Sequence, residues 1–112
     1  FKTMQKIKLK LNVSNLNAIL QILSIYENGF KAENFVFKAI LSISDDLYSK
    51  LLRKAITERK NDKIFAISFK YHEAYALEAI LRHFISNADE AYSDPYVKNT
   101  AHVIANKIHQ EL

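Results

Sequence analysis

The sequence predicts an α+β protein, mainly helical, made of two β-α-α-like units whose strands form a small two-stranded antiparallel ribbon packed on helices. Three observations lead there. Lys6–Val13 alternates polar and apolar residues, the period of two expected of a half-buried strand, and Lys63–Lys70 is again strand-like. Each run precedes a helical pattern, and those patterns share a motif, Leu16-Asn17-Ala18-Ile19-Leu20 and Leu77-Glu78-Ala79-Ile80-Leu81. Further helical periodicity follows each motif. The order is that of an internal repetition over about 5–43 and 63–111, with the strands offset by 57 positions and the motifs by 61.

The first strand places Ile7, Leu9, Leu11 and Val13 on one face and Lys6, Lys8, Lys10 and Asn12 on the other. Ser14 or Asn15 is expected to cap the helix that follows, and Gly29, the only glycine, suits its C′ position, where φ > 0 is needed. Within that helix Leu16, Ile19, Leu20 and Leu23 make one apolar stripe, and Ala18, Ile22 and Ile25 make a second on another side. Two apolar sides call for burial on both, either by the rest of the chain or by a second copy.

Helical spacing of Phe35, Val36, Ala39, Ile40 and Ile43 predicts a short helix over about 32–43. Ser44-Asp45-Asp46 then reads as the start of a separate helix, with Leu47, Tyr48, Leu51, Leu52, Ala55 and Ile56 facing inward. Acids at its start and Arg59-Lys60 at its end complement the helix dipole. Asn61-Asp62 turns into the second strand, where Phe65, Ile67, Phe69 and Tyr71 share a face opposite Ile64, Ala66, Ser68 and Lys70. A helix over about 72–87 buries Leu77, Ile80, Leu81 and Phe84. Asp94-Pro95 opens the last one as N-cap and N1 proline, with Val97, Ala101, Ile104 and Ile108 inward.

At 112 residues and 49% hydrophobic content, a single domain with its own core is expected over residues 1–112. Phe1-Lys2-Thr3 precede Met4, the only methionine, and are expected to be vector-derived. No apolar run approaches the roughly 20 residues of a membrane span, no signal peptide is visible, and cysteine is absent, so a cytoplasmic protein without a membrane partner is expected. Abundant Lys, Asn and Ile point to an AT-rich bacterial or phage source. Net charge is +4 but uneven: residues 1–63 hold 12 Lys/Arg against 6 Asp/Glu, and residues 64–112 hold 4 against 6. Such asymmetry guides a basic surface to an anionic partner, or one copy to another.

Motifs for catalysis are missing. His102 and His109 are seven apart on one helix, about 10.5 Å along its axis, too far for one zinc. His72 and His83 fail likewise, and His72-Glu73 lacks the second zincin ligand because position 76 is Ala. Adjacent acids at Asp45-Asp46 and Asp89-Glu90 are explained by capping rather than acid–base work. A single glycine leaves no Gly-x-Ser-x-Gly elbow and no glycine-rich phosphate loop. No enzyme, cofactor, metal site or small-molecule substrate is expected. Of the 13 aromatics, Phe35, Phe65, Phe69 and Phe84 fall on core faces, while Tyr75, Tyr92 and Tyr96 lie off the stripes and suit a protein-binding surface.

Two functional readings remain. The first is a small non-catalytic interaction or accessory protein, acting as a homodimer or on another protein, with Ala18, Ile22 and Ile25 as the contact if that helix face is not covered internally. The second is nucleic-acid binding through Lys6, Lys8 and Lys10, joined by Lys70 if the strands pair. A two-stranded ribbon fits the DNA major groove. The strand Lys6–Asn12, the helix Ser14–Asn28, Gly29 and a helix from about Ala32 resemble the ribbon-helix-helix repressors over about a third of the chain. That resemblance implies DNA-facing roles for Lys6, Lys8 and Lys10 and a phosphate clamp near Asn34. Pairing Lys6–Val13 with Lys63–Lys70 would make the chain a single-chain pseudo-dimer of that kind. Lysines on an edge strand also deter aggregation, which is the purely structural role they could serve.

Overall fold

The computed structural model describes residues 6–27, 35–60, 62–87 and 95–112. Gly29, Asn34, Asn61, Asp94 and Phe1–Thr3 lie outside them, as do the side chains of Phe35 and Val36. The described elements run β1 (Ile7–Leu11), α1 (Val13–Glu27), α2 (Phe35–Glu58), β2 (Phe65–Phe69), α3 (Tyr71–Asn87) and α4 (Pro95–Glu111). β1 and β2 pair antiparallel as the only sheet among the described residues. The predicted mainly helical α+β fold with a small ribbon is therefore the observed one.

Two of the three helices predicted between the strands, those over about 32–43 and from Ser44 on, are a single helix, α2. No Gly or Pro interrupts residues 35–58, so nothing breaks the hydrogen-bonded ladder at Ser44. Ser44 is fully buried in mid-helix instead of serving as a cap, and Asp45 and Asp46 are exposed beside it, far from any helix start. The inward stripe of α2 is Ile40, Ser44, Leu47 and Leu51. Leu52 and Ile56, expected inside, fall off that stripe and are 40% and 60% exposed.

The strands and the helices that follow them repeat at one spacing. β2 starts 58 positions after β1, and α3 starts 58 positions after α1. Leu16 and Ala74, Ile19 and Leu77, Ile22 and Ile80, Tyr26 and Phe84 are equivalent pairs at that spacing, and all are buried. The eye-catching match of Leu16–Leu20 with Leu77–Leu81 is three positions out of this register. In the second helices the spacing is 57: Ile40 and Val97, Ser44 and Ala101, Leu47 and Ile104, Leu51 and Ile108 are all buried.

The ladder obeys the same exchange. Ile7 pairs with Phe69 and Leu11 with Phe65, so swapping the units swaps those pairs, and Leu9 opposite Ile67 lies at the centre. Helix packing follows: α1 contacts α2 and α4, while α3 contacts α4 and α2. A lone two-stranded ribbon is marginal in water. Here its inner face, Ile7, Leu9, Leu11, Ile67 and Phe69, joins the one hydrophobic core shared with all four helices. Each such side chain contributes about 1.5–3 kcal/mol on full burial.

This packing also accounts for the second apolar side of α1. Ala18 is 3% exposed and Ile22 0%, and Ile25 packs against the same core. Ala18 and Ile22, named for a contact with another chain if that face were not covered internally, are covered by their own chain, and Ile25 is partly covered. No described helix is long and apolar enough to cross a membrane.

Candidate nucleic-acid interface

Alternation along β1 buries Ile7, Leu9 and Leu11 and leaves Lys6, Lys8 and Lys10 exposed. Opposite them, Lys8 faces Ser68 and Lys10 faces Ala66. One step beyond the Ile7–Phe69 pair the register brings Lys6 level with Lys70, which is also exposed. The strand pairing thus gathers the four lysines singled out from the sequence on the solvent side of one ribbon. Along a strand, alternate residues are about 6.8 Å apart, so Lys6, Lys8 and Lys10 form an evenly spaced cationic row.

α2 fixes the β2 side of this surface. Lys50 Nζ donates to the Ser68 carbonyl at 2.6 Å and to Glu73 Oε1 at 3.1 Å, and lies 4.9 Å from the centre of the Phe69 ring. One turn on, Lys54 Nζ lies 5.5 Å from the Phe65 ring centre. Two lysines four apart on a helix thus meet two aromatics four apart on a strand. Glu73 Oε1 also accepts the Lys70 N–H at 2.8 Å, capping α3. Burial by itself would push the Glu73 carboxyl up. Hydrogen bonds from the Lys70 backbone and Lys50, with the charges of Lys50 and His72, outweigh it and hold the group below its ordinary value.

The equivalent cap on α1 is neutral. Asn12 Oδ1 accepts the Asn15 N–H at 2.8 Å, and Asn15 Oδ1 accepts the Asn12 N–H at 3.3 Å. This reciprocal cap starts the helix at Val13, one residue before the expected Ser14 cap, because Asn12 ends the strand and closes the turn together. Asn15 Nδ2 further donates to Tyr96 Oη at 3.2 Å, tying α1 to α4. Asn12 and Lys70 are equivalent positions, as are Asn15 and Glu73. The 58-residue spacing therefore relates the strands, the first helices and their caps.

A cleft of about 380 Å³ opens beside Lys70, lined by Lys50, Arg53, Lys70 and His72 with Asp46 and Glu73. Lys50 and Glu73 are engaged with each other there, leaving the exposed Arg53, Lys70 and His72 as its outward cations or donors. Arg53 was not among the sequence candidates, since nothing local ties α2 to the ribbon.

No protein-family model, curated protein or solved structure matches this chain.

The remaining candidates scatter. Among the described residues no three His, Asp or Glu side chains come together as a metal site. His102 is exposed. His109 Nδ1 lies 3.3 Å from Glu78 Oε2 without hydrogen-bond geometry, which leaves that buried oxygen without a hydrogen-bond partner. His83 Nδ1 is 2.7 Å from Tyr26 Oη, and the rings meet edge to face. Burial pushes the Tyr26 phenol up to about 12. Tyr75 and Tyr96 are about half exposed at 49% and 47%, on helices α3 and α4, and Tyr92 lies outside the described residues. Phe69 and Phe84 are in the core, as expected, and Phe65 is half-buried.

Proposed function

We propose that this chain is a non-catalytic DNA-binding protein that lays its ribbon in the major groove of duplex DNA. The observation that supports the reading is the ribbon's solvent face, where Lys8 and Lys10 stand exposed along β1 and the exposed Lys6 and Lys70 lie one step beyond the paired register. A two-stranded ribbon has the dimensions of that groove, and lysines suit phosphates better than base edges. The pairing of β1 with β2, each followed by two helices, supports it further, since a single-chain pairing of that kind is what the resemblance to ribbon-helix-helix repressors implies. The interaction-protein reading named Ala18, Ile22 and Ile25; Ala18 and Ile22 lie within the fold, and Ile25 is partly buried against the core.

The test is binding to random duplex DNA at two salt concentrations, with the mass followed by light scattering. Expected is an affinity that falls steeply with salt and is lost in the Lys6→Glu/Lys8→Glu/Lys10→Glu variant, which still folds. Full retention of binding in that variant would transfer the activity to another surface. A protein that binds no duplex at low salt uses its lysines only to protect the ribbon edge.

A further inference from the structure

Two strands related by an internal two-fold exchange carry different chemistry on their outer faces. At the 58-residue spacing, Lys8 is equivalent to Ala66 and Lys10 to Ser68, so a cation on β1 meets an uncharged side chain on β2. Lys6 is likewise equivalent to Ile64, which is 69% exposed. The asymmetry extends past the strands: Asn12 is matched by Lys70, and Ser14 by His72. Around the cleft at that end, Arg53 of α2 takes the place that Gln110 takes in α4. The scaffold is two-fold and its charge is not.

A symmetric ribbon presents one set of side chains twice and so matches a palindromic site. Resting on the DNA-binding reading above, we infer that this ribbon is built for a duplex site without dyad symmetry, held by a single chain in one orientation. β1 supplies a row of contacts to one phosphate strand through Lys6, Lys8 and Lys10. At the end of the ribbon where Lys6 and Lys70 come level, Lys70 meets the opposite backbone, beside the cleft lined by Arg53, His72 and Asp46. The other end, where Ala66 faces Lys10 and Ile64 follows, offers that backbone no equivalent cations. Because both units are covalently one chain, no second copy is needed to complete the ribbon.

The experiment uses the whole chain and a short duplex selected for binding from a random pool. Light scattering gives the number of chains per duplex, and hydroxyl-radical footprinting gives the protection on each strand. Expected are one chain per duplex and a footprint unequal about its centre. Four neutralised phosphates predict an affinity loss of about 150-fold between 50 and 200 mM salt. Lys8→Ala/Lys10→Ala should reduce that to about 12-fold, while Ser68→Ala leaves it unchanged. Ala66→Lys/Ser68→Lys, which makes the two strands alike, should steepen the salt dependence and even out the footprint. Two chains per site, a dyad-symmetric footprint with the natural chain, or an unchanged salt dependence in Lys8→Ala/Lys10→Ala would overturn the inference while leaving DNA binding intact. Absence of any duplex binding by the folded protein would overturn the reading beneath it, and the inference with it.

Discussion

Leu9 and Ile67 face each other at the centre of the ribbon, each the counterpart of the other in the two halves of the chain. Both are buried, at 2% and 4% exposure, and both cap the same core from above the helices. Equivalent surroundings predict equivalent costs. Leu9→Ala and Ile67→Ala should each destabilise by about 2–5 kcal/mol in urea unfolding. A near-neutral result at either position would mean that its half of the ribbon is not held against the core.

The two caps differ in chemistry and should differ in pH response. Asn12→Ala should cost about 1 kcal/mol at any pH near neutrality. Glu73→Ala should cost more, because it also frees Lys50. The Glu73 carboxyl is depressed in the fold, so its contribution is present above its unfolded pKa and is lost as pH falls through the folded one. Acid titration of stability should therefore be shallower in Glu73→Ala than in the parent. Parallel curves would show that the carboxylate adds nothing.

Tyr26 gives the opposite limb. Its folded pKa stands near 12 against an ordinary 10.0, so the unfolded chain loses that proton first as pH rises. The stability linked to it is complete below pH 10 and declines between 10 and 12. Tyr26→Phe should remove this alkaline decline, and at neutral pH should cost about 1 kcal/mol for the lost bond to His83. Thermal melts at neutral and alkaline pH would check both, and an identical alkaline decline in Tyr26→Phe would refute the assignment.

Ile22→Ala separates a core role from an interface role. With Ile22 fully buried inside the chain, the variant should lose about 2–5 kcal/mol while its mass in solution stays that of the parent. A change of mass at unchanged stability would put Ile22 back at a contact between chains.

Leu52→Gln and Ile56→Gln should each change stability by no more than about 0.5 kcal/mol, since both side chains stand on the solvent side of α2. A loss of several kcal/mol would mean that they face a core.

Period-two and helical spacing were enough to locate both strands and α1, α3 and α4, because each needs only to present its own apolar residues on one side. They also named the inward positions of α3 and α4 and the lysines of β1. The unbroken α2 escaped them: Ser44-Asp45-Asp46 has a cap's composition, and only burial of Ser44 against the core reveals a helix running through it. The repeat was visible but misaligned, since Leu, Ile and Ala recur often enough to match at the wrong spacing. The constant 58 emerges from the ladder and the caps.

By itself, the sequence determined the α+β class and the alternation that turns Lys6, Lys8 and Lys10 outward. These follow from local periodicity and residue chemistry. Only the tertiary structure decided that Ala18 and Ile22 on the second face of α1 are buried within the chain, that β1 pairs with β2 so that Lys8 faces Ser68 and Lys10 faces Ala66, and that Lys50 of α2 binds Ser68 and Glu73. The physical reason is range. A side chain's direction is set by its immediate backbone, whereas what it meets is set by residues tens of positions away, through packing that no local pattern encodes.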